Sequence, residues 1–182
     1  MHYSPEYIEI NGSKFELKYS YDYLQSIVEK IADRINEDYK DKEILFIVVL
    51  KGAVQFAVDL LKHISCECSV EFITASSYLE AMKSQGKVKI GNLTCDVKDK
   101  NVIIIEDILE SGRTLQAICR MLNLMHPRSL EIATLFFKPD NLLVDIKAKY
   151  IGIEIPSDFI VGYGLDYAQK GRQYANVYQL CK

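Results

Sequence analysis

Apolar positions along this 182-residue chain follow two rhythms that together outline its elements. Leu24, Ile27, Val28, Ile31 and Ile35 recur at helical spacing, which predicts an amphipathic helix with Ser20 as its N-cap. Ile44 to Leu50 is apolar throughout. A strand uniform on both faces belongs in the middle of a parallel sheet with helices on either side. Lys51-Gly52 breaks that run, and Val54 to Ile64 reads as a helix. Further strands fall around Val70 to Ala75, Asn101 to Ile105 and Ser129 to Phe137, the last two separated by a helix from about Thr114 to Met125. Such alternation implies βαβ units and right-handed crossovers, so the expected class is α/β with a central, mainly parallel sheet flanked by helices.

After Lys138-Pro139-Asp140 the pattern changes. Short strands at Tyr150 to Ile155 and Phe159 to Gly164, punctuated by Pro156-Ser157-Asp158, suggest a small antiparallel lobe over the strand ends, joined by the extreme N-terminus. With no repeat, low-complexity tract or Gly/Ser linker, residues 1–182 read as one domain: a core of about 15–138 and a hood from about 1–14 and 139–182.

Composition narrows the partners. The chain is 49% apolar and 26% charged, ordinary for a soluble globular protein. A net charge of −3 and a pI near 5.7 give no general attraction to nucleic acid or anionic membrane, so a phosphate ligand needs a local site. Five cysteines, an odd and scattered set, argue for reduced thiols. Cys66 and Cys68 lack the spacing and companions of a metal cluster. The opening MHYSPEYIEI has neither the basic start nor the apolar core of a signal peptide, and no apolar run approaches bilayer length. A cytoplasmic protein is expected, with no membrane and no nucleic-acid partner.

The chemistry is concentrated in Val102 to Leu115, VIIIEDILESGRTL. A buried strand runs into two adjacent acids, Glu106 and Asp107, followed by a polar turn and a helical pattern. Carboxylates accept hydrogen bonds from vicinal hydroxyls. The Glu110-Ser111-Gly112-Arg113-Thr114 loop presents backbone N–H groups and hydroxyls at a helix N-terminus, which suits an anion. One segment can hold both ends of a sugar phosphate. Lys51, Glu106 and Lys138 all fall at carboxyl ends of strands, where ligands bind in parallel α/β sheets.

That run resembles the phosphoribosyl pyrophosphate (PRPP) motif of the type I phosphoribosyltransferases, and four further segments match the family in order. The resemblance covers roughly Leu45 to Arg172 and points to hypoxanthine-guanine phosphoribosyltransferases of the short bacterial or protozoan type. It implies the type I phosphoribosyltransferase fold with its small hood lobe. It implies that Lys51 and Gly52 form the pyrophosphate loop, after a cis peptide at Leu50-Lys51. Ser77 and Tyr78 would belong to a lid that shields the reacting centre from water. Lys138 would donate to the exocyclic oxygen of a 6-oxopurine, Phe159 would stack on the ring and the Ile160 backbone would read its edge. Asp166 would hold Mg²⁺ with Glu106 and Asp107 nearby, and Arg172 would contact pyrophosphate. The implied substrates are PRPP and a 6-oxopurine base, the products IMP or GMP and pyrophosphate, and the implied state a homodimer or homotetramer.

One position departs from the family. Aspartate is usual where this chain has Glu110, and the resemblance assigns that carboxylate the proton from purine nitrogen 7. Glutamate keeps the charge but adds a methylene and a torsion to freeze. Glu110 is therefore expected to act as the catalytic base. Two alternatives remain at this stage: a xanthine-preferring transferase, and a regulator on the same fold that binds nucleotides or RNA with weak catalysis.

Overall fold

The structure is a computed structural model that describes residues 4–77, 88–91 and 93–181. Its large sheet has six strands in the order β5-β4-β3-β6-β7-β8: β3 Ile44–Leu50, β4 Cys68–Ser77, β5 Val88–Ile90, β6 Asn101–Leu109, β7 Ser129–Phe137 and β8 Tyr150–Glu154. All neighbouring pairs are parallel except β4 and β5. Every residue of β3 from Ile44 to Val49 is buried, as its unbroken apolar run requires. Helices α1 (Tyr21–Asp38) and α2 (Val54–Leu61) cover one face, where Leu24, Ile31, Phe56 and Leu60 meet Phe46, Val48, Ile103 and Ile105. Helix α3 (Arg113–Asn123) covers the other, packing Leu115, Ile118 and Leu122 on Ile47, Ile104 and Ile132. Ser20 caps α1, its side chain accepting from the Tyr23 amide.

A second, four-stranded antiparallel sheet in the order β1-β2-β10-β9 gathers β1 Tyr7–Ile10, β2 Ser13–Tyr19, β9 Ile160–Val161 and β10 Val177–Leu180 around Phe15, Val161 and Tyr178. The expected boundary near residue 14 thus falls inside β2, which continues its pairing to Tyr19 against Val177.

Two strand assignments need correction. Tyr150 to Glu154 lies in the large sheet, in parallel register with β7 from Ala133 to Phe137. Burial decides this: Tyr150 is enclosed beneath α1, where its hydroxyl donates to Asp38 Oδ2 at 2.7 Å. The strand expected over Phe159 to Gly164 shrinks to two residues, because Gly162, Tyr163 and Gly164 have φ of 100°, 50° and 95° and turn the chain in the left-handed region.

That turn is anchored to the large domain by Asp59 of α2. Its Oδ2 accepts from the Tyr163 hydroxyl at 2.7 Å and from Gln25 Nε2 at 2.8 Å, while Lys62 Nζ pairs with Oδ1 at 2.7 Å. Burial alone would push this carboxyl up, but the hydrogen bonds from Lys62, Tyr163 and Gln25 outweigh it and hold the group below its ordinary value. A group lowered in the folded state stabilises it above the unfolded carboxylate range, and that contribution is lost as pH falls. Asp59→Asn should therefore cost about 1.5–3 kcal/mol at neutral pH. The difference in melting temperature from the parent protein should narrow towards about pH 3. A gap independent of pH would contradict the ionised anchor.

Candidate active site

Strands β3, β6 and β7 end side by side, and the polar residues that follow them converge there. A cleft of about 240 Å³ opens at this edge, lined by Leu50, Gly52, Glu106, Glu110, Ser111, Gly112 and Thr114 among others. The Leu50-Lys51 peptide is cis. Gly112, with φ of 75°, is the N-cap of α3, no side chain caps that helix, and its first turn carries no acid. The N-terminal amides of α3 and the hydroxyls of Ser111 and Thr114 thus form a group of donors at the cleft that suits an anion.

Glu106 and Asp107 stand within the last part of β6 rather than beyond it. Burial, the neighbouring Asp107 charge and a hydrogen bond with that carboxylate push Glu106 well above the usual carboxylate range. Burial also pushes Asp107 up, against hydrogen bonds from Glu106 and the Ile108 amide and the charge of Arg172. Glu106 lines the cleft, and its Oε2 is buried without a hydrogen-bond partner. Asp107 is tucked against the Gly52 backbone so closely that a Cβ on Gly52 would overlap its carboxylate. A buried, unpaired carboxylate oxygen suits a hydroxyl or cation brought in by a ligand.

Glu110 links this cleft to a second group. It lines the cleft, and its Oε1 lies 3.2 Å from Lys138 Nζ and accepts from Asn141 Nδ2 at 2.8 Å. Lys138 is only 5% exposed. Phe159 is 42% exposed, held on edge by Tyr167 with centroids 5.5 Å apart and backed by Phe15 at 6.4 Å. A half-open ring suits a flat heterocycle, and a buried ammonium suits an acceptor on the edge of one. Ile160 is buried in β9, where it pairs with Gln179.

Arg172 ties the returning segment together. Its Nη1 donates to the Gly164 carbonyl at 2.8 Å and its Nη2 meets Asp166 Oδ1 at 2.5 Å. Asp166 Oδ2 accepts from the Gln169 amide at 2.7 Å. Both Asp166 oxygens are thus engaged, and a cation there would share them with Arg172. Among the described residues no three His, Cys, Asp or Glu side chains gather as a metal cage. The donor set fits Mg²⁺ in the manner usual for that ion, with one or two carboxylates complemented by water and substrate oxygens.

The comparisons with known proteins agree with this geometry. Residues 20–168 match the family model described as the phosphoribosyl transferase domain. The chain belongs to the phosphoribosyltransferase family. Within that family it is 45% identical over 147 residues to the hypoxanthine-guanine phosphoribosyltransferase of Staphylococcus epidermidis, covering 80% of this chain and 82% of that protein. A crystal structure of a hypoxanthine-guanine phosphoribosyltransferase from Bacillus anthracis superposes with a TM-score of 0.85 at 38% identity, over 96% of this chain and 100% of that one. A hypoxanthine phosphoribosyltransferase from Staphylococcus aureus gives 0.87 at 38% identity, over 91% of each chain.

Lys51, Asp107, Arg113, Lys138, Phe159, Ile160, Asp166 and Arg172 are not part of the cleft's lining, although Asp107 abuts Gly52 and Lys138 meets Glu110, two residues that are. The expected lid is not placed: Tyr78 and the Ser77 side chain lie outside the described residues. Asn141 and Ser157, absent from the sequence-based expectation, join the site through Glu110, and no local signal marks either one. Gly52→Ala should displace the Asp107 carboxylate, costing about 1–3 kcal/mol of stability by overpacking. Calorimetric titration should show weakened PRPP binding, and unchanged affinity would contradict this reading of the Gly52–Asp107 contact.

Proposed function

We propose that this chain transfers the 5-phosphoribosyl group of PRPP to a ring nitrogen of hypoxanthine or guanine, releasing pyrophosphate and forming IMP or GMP. The observation that carries this reading is Glu110, whose carboxylate lines the phosphoribosyl cleft while one oxygen contacts Lys138 and Asn141, the latter bonded to Ser157 in the turn before Phe159. A proton acceptor placed between a sugar-phosphate site and a purine site is what the transfer requires.

The amides of the 110–114 loop, with the Ser111 and Thr114 hydroxyls, hold the 5-phosphate. Glu106 and Asp107 accept from the ribose hydroxyls and steady the ring as positive charge develops at the anomeric carbon. The Lys51-Gly52 loop and Arg172 face the pyrophosphate. One or two of Glu106, Asp107 and Asp166 would hold Mg²⁺ together with water and substrate oxygens, and the bound ion would neutralise the leaving group. Lys138 donates to the exocyclic oxygen of the base, a contact the amino group of adenine cannot accept. Phe159 stacks on the ring, the Ile160 backbone reads its edge, and Glu110 takes the proton from nitrogen 7. Most of the acceleration comes from position and charge, with proton transfer contributing the rest.

Oligomer formation also belongs to this reading. Val70 and Phe72 of β4 are exposed, and their register with Phe46 and Val48 puts them on the face of the sheet that α2 covers. Val54 and Val58 on α2 are exposed as well. Apolar surface of this kind suits a second copy of the chain. The five cysteines are all free, in keeping with a reducing cytoplasm, and no helix among the described residues is long and apolar enough to cross a membrane.

Pyrophosphate release from PRPP and Mg²⁺ should occur with hypoxanthine, guanine or both, and not with adenine. No turnover with any oxopurine would overturn the proposal. Glu110→Gln should lower kcat by about 10²–10⁴-fold while PRPP still binds; full turnover by this variant would remove Glu110 from the mechanism. Phe72→Lys should shift the sedimentation equilibrium towards monomer, and an unaltered distribution would exclude this face.

A further inference from the structure

We infer that Asn141, oriented by Ser157, is a positioning residue that holds Glu110 in place for proton transfer. The inference rests on the transferase reading above and adds to it a residue outside the motifs that carry that reading.

Glu110 needs such a device. Its side chain is about half exposed, and the extra methylene relative to aspartate gives it a torsion that solvent alone leaves free. Lys138 restrains one oxygen at 3.2 Å, but the same ammonium must also serve the base. Asn141 Nδ2 reaches that oxygen at 2.8 Å, closer than the lysine does. Two donors on Oε1 fix the carboxylate and direct them away from Oε2, which remains available to take a proton.

The asparagine is itself oriented. It ends the 3₁₀ turn Pro139–Asn141, whose first residue is a proline with restricted φ, and its amide donates to the Lys138 carbonyl at 3.2 Å. The Glu110 carboxylate can only accept, so Nδ2 is the side of the amide that faces it, and the Ser157 hydroxyl then donates to Oδ1 and holds the other side. Ser157 lies two residues before Phe159. The chain Ser157–Asn141–Glu110–Lys138 therefore joins the turn that carries the stacking ring to the proton acceptor. Placement of the base and placement of the carboxylate become one geometric event.

A double-mutant cycle tests this. Parent protein, Asn141→Ala, Glu110→Asp and the double variant are compared for pyrophosphate release at saturating PRPP, hypoxanthine and Mg²⁺. With Glu110 present, Asn141→Ala should lower kcat about tenfold and leave the KM for PRPP within about twofold. In the Glu110→Asp background the shorter side chain no longer reaches Asn141, and the same substitution should change kcat by less than about twofold. Asn141→Asp keeps the shape and the Ser157 contact but sets a like charge against Glu110, so it should lower kcat further than alanine does. It also carries the comparison if the alanine variant does not fold. Parent-like kcat in Asn141→Ala, or an equal loss in both backgrounds, would overturn the inference and leave the transferase reading intact. Absence of turnover in the parent protein would overturn both.

Discussion

The backbone at Gly52 is the point on which the site depends. On one side a Cβ there would overlap the Asp107 carboxylate of β6, and on the other a Cβ on Gly164 would overlap the Gly52 carbonyl. Three segments far apart in sequence thus meet where neither glycine has room for a side chain. Gly164 must also adopt a φ of 95°, which a side chain would resist. This close approach fixes the loop after β3, the acids of β6 and the returning turn in one arrangement. Polar ties then hold it. Tyr163 and Gln25 donate to Asp59, Arg172 spans Gly164 and Asp166, and Gln55 donates to the Arg172 carbonyl. The small sheet keeps its own apolar cluster around Phe15 and Tyr178, while its Ile160 and Val177, with Tyr163 and Leu165, pack into the main core, so apolar contacts and polar ties together register it at the site.

The same packing makes the acid pair costly. Asp107 is buried, and its half-buried neighbour Glu106 has one enclosed oxygen with no partner; an unsatisfied buried acceptor costs about 1–3 kcal/mol. The elevated affinity of Glu106 for a proton expresses that cost. The core can bear it because β3 and β6 are apolar through most of their length and enclosed on both faces. A ligand that brings hydroxyls, a cation or both recovers the lost interactions, so the strain is released on binding. Preorganised groups of this kind cost stability without ligand and favour the charge distribution that develops during reaction.

Much of this arrangement was legible in the sequence, where local pattern and tertiary role coincide. Ile44–Leu50 has no polar face, so only an interior strand could use it. The Glu106-Asp107 pair ends a run that must be buried, and Gly112 follows where a helix must begin. Tyr150–Glu154 is ambiguous in sequence, because a short alternating segment fits either an edge of the large sheet or a strand of the hood. The enclosure of Tyr150 beneath α1 decided between them, and no local pattern encodes that. The left-handed Tyr163 was equally hidden, since its backbone is imposed by the Asp59 anchor and the flanking glycines rather than by its own preference. Asn141 and Ser157 acquire meaning only when the ends of β6 and β7 lie side by side.

That last point bears on how one departure from a motif is accommodated. Exchanging aspartate for glutamate moves a carboxylate outward by about one carbon–carbon bond and adds a rotor, whose freezing costs free energy. In isolation the exchange should loosen a proton acceptor. Here the longer side chain extends to the 3₁₀ turn after β7, where Lys138 and Asn141 both meet Oε1. Lys138 is nearly enclosed and gains a counter-charge, while Glu110 gains two donors. Each offsets a cost carried by the other, because a buried ammonium without an anion is as unfavourable as an exposed carboxylate without restraint is imprecise. A substitution that looks like damage in one motif therefore becomes a contact between two, and the residue to examine first at such a departure is its new neighbour.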